Sequence, residues 1–245
     1  MTDDNSVRLF STAHPDKSAV ERFDGLVGID DQKQDLLEHL VGILDPNGLK
    51  TWVTKHHPNG LALARRLERR PPLVILAGDV GCGKTELATS IGTPLARQLD
   101  GRVVSFETPS DIRGGGLVGE LSLRVTAAFE AARQELGRGK GLLVIDEGDD
   151  LATSREQNQA HHEDRAGLNV LIKQIDALAR ERVPLAVVLV TNRFAALDPA
   201  LVRRAHVIRF IRPSHEARRA VFARLLDGLR LTNEDLDELE HERRS

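Results

Sequence analysis

The sequence predicts a doubly wound α/β domain, in which a five-stranded parallel sheet carries helices on both faces. Five short apolar runs rich in branched residues are separated by longer segments of helical periodicity, and the first run leads into a glycine-rich loop. Near-continuous apolar runs between helices are typical of parallel strands that are buried on both faces. The predicted strands are 73–77, 102–107, 142–146, 185–191 and 206–211, and the predicted helices are 84–98, 121–136, 164–181 and 214–229. In such a sheet, ligands bind at the carboxyl ends of the strands.

Length and charge limit the class of protein. A chain of 245 residues buries one sizeable core with a small appendage. The formal net charge of −3 gives no overall attraction to nucleic acid or anionic membrane, although the basic stretch RRLERR at 65–70 leaves a local patch open. Cys82 is the only cysteine, which excludes an intrachain disulfide and fits a reducing compartment. No apolar run has the length of a membrane span and the first residues lack the order of a signal peptide, so we expect a cytoplasmic protein without membrane contact.

The stretch GDVGCGKT, at 78–85, predicts a phosphate-binding loop, because it follows a predicted strand and opens a predicted helix. Its glycines let successive backbone N–H groups curl around a phosphate, and the helix N-terminus favours negative charge. Lys84 would reach the β- and γ-phosphates of ATP, and the Thr85 hydroxyl would bind Mg²⁺. The alternative is a chance glycine turn before a helix. The predicted nucleotide-binding residues of this segment are Gly78, Asp79, Val80, Gly81, Cys82, Gly83, Lys84, Thr85 and Glu86.

Two acidic residues, Asp146 and Glu147, stand at the end of the predicted strand LLVID, the first as its last residue and the second directly after it. A carboxylate that ends a strand beside the phosphate loop is placed to hold Mg²⁺ through water, which we assign to Asp146. Glu147 can then polarise the water that attacks the γ-phosphate. The alternative is that both acids cap the next helix.

A third polar residue, Asn192, ends the predicted strand in VLVTNR. It would lie between the phosphate loop and the acidic pair, where it could orient the same water. The alternative is a turn residue, since Asn is common where the chain leaves a strand.

The order of phosphate loop, Asp-Glu, Thr-Asn and then LDPALVRRA resembles the AAA+ ATPases, and the resemblance covers residues 22–229. It implies ATP and Mg²⁺ as cofactors, a homo-oligomeric hexameric ring, and adenine contacts from Val27 and Gly28. It also implies that Arg203 and Arg204 reach the nucleotide of a neighbouring subunit. The alternative for this arginine pair is a solvated helix end.

Within that superfamily the chain resembles the pachytene-checkpoint-type remodellers and their bacterial relatives. The resemblance is carried by DEGDDLATSREQ, by HEDRAGLNVLIKQID and by the compact VRRAHVIRFIRPS. It implies a protein substrate, a HORMA-domain protein in bacterial anti-phage signalling. GGGLVGELSLRV lies where such remodellers place a substrate-gripping pore loop, which would make Leu117 and Val118 the gripping residues. The alternative is an ordinary glycine-rich connection.

Three regions are therefore predicted along the chain. Residues 1–22 are polar and are expected to form a flexible N-terminal arm, and residues 23–212 the AAA+ nucleotide-binding α/β domain. Residues 213–245 are expected to form a short, incomplete helical lid, either natural or from truncation, because no glycine-flanked arginine follows Leu231.

The expected function is ATP-driven remodelling of a protein partner. The alternative is an AAA+ ATPase that handles nucleic acid, of the helicase or clamp-loader type, which would need a positive surface that tracks phosphates. The net charge and the apolar pair Leu117–Val118 argue against that alternative. A regulatory nucleotide-binding module without turnover is disfavoured by Glu147. A kinase is disfavoured because it would explain neither Asn192 nor the arginine pair.

Overall fold

The structure is a computed structural model that describes residues 7–57, 59–62, 70–110, 112, 119–149, 162–226 and 229. Its strands are β1 (Phe10–His14), β2 (Leu73–Gly78), β3 (Val103–Glu107), β4 (Lys140–Ile145), β5 (Leu185–Thr191) and β6 (His206–Phe210). Its helices are α1 (Lys17–Gly25), α2 (Asp30–Leu44), α3 (Pro46–His56), α4 (Lys84–Ser90), α5 (Gly92–Gln98), α6 (Glu120–Leu136), α7 (His162–Glu181), α8 (Pro199–Val202) and α9 (His215–Leu225), with a 3₁₀ turn at Phe194–Ala196.

The described residues form a six-stranded sheet in the order β1-β3-β4-β5-β2-β6. The five predicted strands are all present and pair in parallel, whereas β1 pairs antiparallel with β3 at the edge. β2 lies between β5 and β6, with Val74 opposite Val188 on one side and opposite His206 on the other. The segment that follows β2 is therefore flanked by the ends of two strands.

Helices cover both faces of the sheet, and the side chains of β2 alternate between the two resulting cores. Leu73, Ile75 and Ala77 belong to the core that α6 and α7 complete. Val74 and Leu76 belong to the core that α2, α4 and α5 complete. Since both faces exclude water, every side chain from 73 to 77 is apolar and the strand lacks the alternation of a half-exposed sheet.

The predicted N-terminal arm is wrong for the residues that the structure describes. Residues 10–14 form the edge strand β1, and residues 17–25 form α1, with the Asp16 side chain accepting a hydrogen bond from the Ala19 N–H at its start. The strand was missed because four of its five residues are exposed or half-exposed, so it carries no apolar run. His14 is its buried member. Residues 1–6 lie outside the described residues.

The predicted helix 84–98 divides into α4 and α5 at Ile91. Gly92 begins the second helix directly against the His14 ring, and a Cβ atom built on Gly92 would lie 2.3 Å from that ring. The close approach of β1 therefore requires glycine here.

The C-terminal region is described as far as α9, which agrees with the start of the predicted helix 214–229. The residues that would complete a lid, 230–245, lie outside the described part of the chain, so the expected incomplete lid stays a prediction. Within the described residues, no helix combines the length and apolar character needed to span a membrane.

Candidate functional site

The loop after β2 is folded around the amino group of Lys84. This side chain is 96% buried, since its relative exposure is 4%, and its Nζ donates a hydrogen bond to the backbone carbonyl of Asp79 at 2.6 Å. Gly81 and Gly83 have φ angles of 81° and 84°, a region that L residues other than glycine rarely adopt. An ammonium group has three N–H donors, and the Asp79 carbonyl engages one of them. The residues present therefore fit an anionic group held by this loop.

Thr85 and Cys82 lie on opposite sides of the same turn. Thr85 is exposed in the first turn of α4, whereas Cys82 is buried in the core beneath α2 and α4. The loop thus presents the threonine hydroxyl to solvent and anchors itself through the thiol. Asp79 and Val80 are exposed at its tip.

The predicted adenine-contacting segment lies against the loop. A Cβ atom built on Gly83 would come within 3.0 Å of Leu26 Cδ2. Gly28 has a φ angle of 75°, and a Cβ atom there would lie 2.6 Å from the Cβ of Ala217 in α9. The segment from Leu26 to Gly28 therefore contacts both the phosphate-type loop and the first turn of α9. The adenine contacts expected of Val27 and Gly28 stay a prediction.

The connection between β6 and α9 also crosses the loop. Arg212 Nε donates to Asp79 Oδ2 at 2.6 Å, and the Asp79 carboxylate raises the pKa of Arg212 above its usual value. Gly78 permits this arrangement, because a Cβ atom there would meet the Phe210 carbonyl at 2.4 Å. Both side chains of the ion pair are largely exposed, so it contributes little to stability.

Asp146 and Glu147 directly follow β4, at the carboxyl ends of the strands where the phosphate-type loop also lies. Asp146 is half-buried and its Oδ1 accepts a hydrogen bond from the Glu147 N–H at 2.8 Å. Glu147 is exposed and has a φ angle of 51°, which is sterically costly for a residue with a Cβ atom. Gly148 packs against Leu189 of β5, where a Cβ atom would be 2.3 Å from the leucine side chain. This contact fixes the path of the chain after Glu147.

Asn192 is exposed at the end of β5, the strand between β4 and β2. Thr191 before it donates a hydrogen bond to Asp149 Oδ1 at 2.8 Å, which ties the end of β5 to the segment after β4. The sheet order thus places the three predicted elements, the loop, the acidic pair and the asparagine, at the carboxyl ends of neighbouring strands.

Glu107 is a further acidic residue at this edge that the sequence reading missed. Glu107 is the last residue of β3, which pairs with β4. Burial raises the pKa of its carboxyl group, the positive charge of Arg22 lowers this pKa, and the negative charges of Asp146 and Glu86 raise it further. Arg22 in α1 donates to Thr89 Oγ1 at 3.0 Å and pairs with Glu86 at 3.4 Å. The sequence RVVSFE shows a predicted strand that ends in glutamate, which could have marked Glu107. The proximity of Glu107 to Asp146, however, depends on the pairing of β3 with β4.

Arg203 and Arg204 lie in the turn between α8 and β6, at the amino end of β6. The phosphate-type loop lies at the opposite, carboxyl ends of the parallel strands. Arg204 Nε and Nη2 donate to the two carboxylate oxygens of Asp176 at 3.0 and 3.1 Å, and Nη1 donates to the Ala200 carbonyl at 2.9 Å. Arg203 is exposed. The structure therefore does not bring this pair to the phosphate-type loop of its own chain.

The predicted pore-loop residues, Leu117 and Val118, lie outside the described residues, and their assignment stays a prediction. Among the described residues, no group of three or more His, Cys, Asp or Glu side chains is arranged to hold a metal ion. The predicted Mg²⁺ residues Thr85 and Asp146 would therefore act with phosphate and water ligands, as is usual for this ion.

The sequence model of the ATPase family associated with various cellular activities (AAA) matches residues 74–213. This range runs from β2 to the end of β6 and includes the loop, the acidic pair and both arginines. The chain belongs to the AAA family. Its α/β domain is accordingly an AAA domain, and members of the family are nucleotide-binding ATPases.

Two curated relatives of this AAA protein are named CD-NTase-associated protein 6. The one from Escherichia coli strain MS 115-1 is 46% identical over 236 residues, which cover 92% of this chain and 76% of the relative. The one from Escherichia coli strain KTE188 is 35% identical over 228 residues, with the same coverage of 92% and 76%.

Solved structures give the same family. A chain in the E. coli MS115-1 HORMA:CdnC:Trip13 complex is 43% identical, with a TM-score of 0.86 over 97% of this AAA protein and 80% of the matched chain. Rhizobiales Trip13 is 37% identical, with a TM-score of 0.69 over 94% of this chain and 79% of its own. C. elegans PCH-2, at 21% identity and a TM-score of 0.57, shares the fold.

Proposed function

We propose that this AAA protein hydrolyses ATP to ADP and phosphate within a homo-oligomeric ring, expected to be hexameric, and uses that hydrolysis to remodel a HORMA-domain protein in bacterial anti-phage signalling. The observation that carries the proposal is the similarity, over 97% of this chain, to a chain of the E. coli MS115-1 HORMA:CdnC:Trip13 complex. The geometry at the carboxyl edge of the sheet supports the ATPase part.

In the proposed reaction, Lys84 binds the β- and γ-phosphates through the donors that the Asp79 carbonyl leaves open. Thr85 and Asp146 hold Mg²⁺, which when bound neutralises negative charge on the phosphate oxygens. Val27 and Gly28 border the adenine, between the loop and Ala217.

Glu147 accepts the proton of the attacking water, and Asn192 orients that water from the neighbouring strand. The path of the chain around Glu147 supports this assignment. Gly148 packs against Leu189, and Thr191 is hydrogen-bonded to Asp149, so the chain on the C-terminal side of Glu147 is held in place while its side chain stays exposed. An arginine from a second copy of the chain stabilises the charge of the transferring phosphoryl group.

A conformational change in a fluorescently labelled HORMA-domain protein tests the proposal. With ATP and Mg²⁺ the wild type is expected to change the fluorescence of the label, because remodelling alters the partner's structure. Glu147→Gln with ATP is expected to co-elute with the HORMA-domain protein but to leave the fluorescence unchanged, because it binds nucleotide and does not turn over.

The same Glu147→Gln complex should be offered single-stranded and duplex DNA as competing ligands. Retention of DNA with no capture of the HORMA-domain protein would contradict the remodelling proposal and favour the nucleic-acid-handling alternative.

A further inference from the structure

The phosphate-type loop carries a negative charge of its own. Asp79 is the only acidic residue from the start of β2 to Lys84, and it directly follows Gly78, the last residue of that strand. Its backbone carbonyl accepts the hydrogen bond from Lys84 Nζ at 2.6 Å, so the acid belongs to the residue that contacts the amino group assigned to the phosphates. A carboxylate at this position opposes the binding of an anion, because like charges repel.

Arg212 is the side chain that faces this carboxylate. Its Nε donates to Asp79 Oδ2 at 2.6 Å, and this hydrogen bond to the opposite charge raises the pKa of Arg212. The side chains of Arg212 and Asp79 are 83% and 58% exposed, so the pair adds little to the stability of the fold. What the pair does change is the charge that the loop presents to an anion.

The backbone that carries Arg212 is fixed against the loop. Phe210 is paired with Gly78 in the register of β2 and β6, and a Cβ atom on Gly78 would meet the Phe210 carbonyl at 2.4 Å. On the other side of Arg212, the Arg218 side chain in α9 donates through Nη1 to the Pro213 carbonyl at 2.7 Å. The connection from β6 to α9 is thus held on both sides of Arg212, which keeps the guanidinium group beside the loop.

We infer that Arg212 is a positioning residue for nucleotide binding, which neutralises Asp79 and holds its carboxylate so that Lys84 and the backbone N–H groups bind the phosphates without an opposing charge. The inference rests on the proposed function, since it takes the loop as the site of ATP. It adds a residue and an electrostatic role that no motif marks. The competing explanation is that the ion pair holds the shape of the loop.

A double-mutant cycle on the full chain separates these two explanations, with equilibrium titration of a fluorescent ATP analogue as the measurement. Arg212→Ala leaves the carboxylate unopposed and should weaken binding by about three- to ten-fold, roughly the effect of one unit charge a few ångströms away in water. Asp79→Asn removes the negative charge and should tighten binding. The variant with both changes should recover the affinity that Arg212→Ala loses, because no carboxylate is left to neutralise.

Two further measurements respond to charge and not to loop shape. At 1 M salt, where the Debye length is about 3 Å, the difference between wild type and Arg212→Ala should shrink. In competition titrations the loss caused by Arg212→Ala should be largest for ATP, smaller for ADP and smallest for AMP, because the repulsion grows with the number of phosphate charges.

Arg180→Ala is the matched control. Arg180 is 75% exposed and its Nη2 lies 3.8 Å from Glu181 Oε1, at the end of α7 before the amino end of β5. It therefore loses an exposed ion pair away from the loop and should bind the ATP analogue as the wild type does. Arg212→Lys keeps the positive charge and should keep most of the affinity. Urea unfolding of Arg212→Ala should match that of Arg180→Ala, which excludes unfolding as the cause of weaker binding.

The pattern across the cycle decides the inference. A loss of affinity in Arg212→Ala that Asp79→Asn corrects supports it. Equal losses in Arg212→Ala and Asp79→Asn, uncorrected in the double variant, would overturn it in favour of a pair that holds the loop's shape. Equal affinities of Arg212→Ala and Arg180→Ala would overturn it as well.

Lys84→Ala distinguishes failure of this inference from failure of the proposed function. If Lys84→Ala loses nucleotide binding and turnover while Arg212→Ala behaves as the wild type, the role of Arg212 is wrong and the proposed function stands. If Lys84→Ala keeps both nucleotide binding and turnover, the loop is not the site of ATP and the proposed function fails instead.

Discussion

Lys84 and Glu147 differ in burial although both are charged and both lie at the carboxyl edge of the sheet. The lysine is folded into its loop with its amino group on the Asp79 carbonyl, and the glutamate is exposed beyond β4. A buried cation inside a loop of backbone N–H groups favours ground-state binding of an anion, whereas the base proposed at Glu147 would act on the attacking water only during turnover. Binding and turnover should therefore be separable at these two residues.

We predict that Lys84→Ala loses nucleotide binding, while Glu147→Gln keeps it and loses turnover. Equilibrium titration with a fluorescent ATP analogue and a phosphate-release assay measure the two quantities. Equal loss of affinity in both variants would show that the assigned division between the residues is wrong.

The left-handed backbone of Glu147 gives a second prediction at this scale. Glycine at this position removes a steric cost of about 1–2 kcal/mol from the folded state. It also increases the conformational entropy of the unfolded chain, which offsets part of that stabilisation. We therefore predict that Glu147→Gly raises the free energy of unfolding by about 0.5–1 kcal/mol. The same variant should have no turnover, because the base is gone.

Asp100→Gly and Arg182→Gly are the controls, since these residues have φ angles of 46° and 55° and lie away from the site. Both should gain similar stability and keep full turnover. A loss of stability in Glu147→Gly alone, measured by urea unfolding, would mean that a contact of the side chain outweighs the strain.

The candidate site residues that the sequence marks are those set by local chain geometry, and their roles stay predictions. The spacing from Gly78 to Thr85 and the acids after β4 are short patterns whose structure the neighbouring residues decide. Glu107, which the sequence does not mark, is brought beside the segment that ends in Asp146 by the pairing of β3 with β4. No short stretch of sequence contains this juxtaposition.

At the scale of elements, β1 is held to the sheet by its buried His14. The imidazole Nδ1 lies 2.8 Å from Thr93 Oγ1, and Nε2 lies 2.9 Å from Ser105 Oγ. Thr93 also accepts a hydrogen bond from the Asp16 N–H at 2.9 Å, which joins the start of α1 to α5. The ring thus connects β1, α5 and β3 through one side chain.

We predict that His14→Ala lowers the free energy of unfolding by about 2–4 kcal/mol, because it opens a cavity against Gly92 and leaves two buried hydroxyl groups with fewer partners. Ser11→Ala, at an exposed position of the same strand, should change it by less than about 0.5 kcal/mol. Urea unfolding of both variants measures the difference, and similar small effects would contradict the buried anchor.

The effect of His14→Ala should also depend on pH. Burial lowers the pKa of His14, Arg22 lowers it as well, and Asp16 opposes the change. As the pH falls, the histidine of the unfolded state therefore takes up a proton before His14 of the folded state does. The contribution of His14 to the free energy of unfolding is complete above the unfolded pKa of 6.5 and declines as the pH falls below that value. The stability gap between wild type and His14→Ala should therefore narrow below pH 6.5, and a gap that widens would contradict the sign of this shift.

The elements that the sequence predicts correctly are those with strong periodicity. All five parallel strands and the helices at 121–136 and 164–181 appear within two residues of the predicted ends. β1 was not predicted because an edge strand exposes most of its residues, and the break at Ile91 was not predicted because it depends on His14, a residue 77 positions earlier.

In the whole molecule, the candidate site residues of the AAA domain lie at opposite ends of the strands. The loop, the acidic pair and Asn192 lie at the carboxyl ends, and Arg203 lies in the turn before the amino end of β6. Neither end can complete the other within one chain. The proposed ring resolves this separation, because the arginine end of one copy would meet the nucleotide end of the next.

Turnover of mixed variants tests whether two copies share one site. Lys84→Ala and Arg203→Ala should each lack activity, and an arginine supplied in trans is worth roughly 10³ to 10⁵ in rate in the GTPases where it has been measured. In a mixture, an Arg203→Ala copy supplies an intact loop and a Lys84→Ala copy supplies the arginine, so turnover should recover in part and rise with total protein concentration. Full activity of Arg203→Ala alone, independent of concentration, would contradict the shared site.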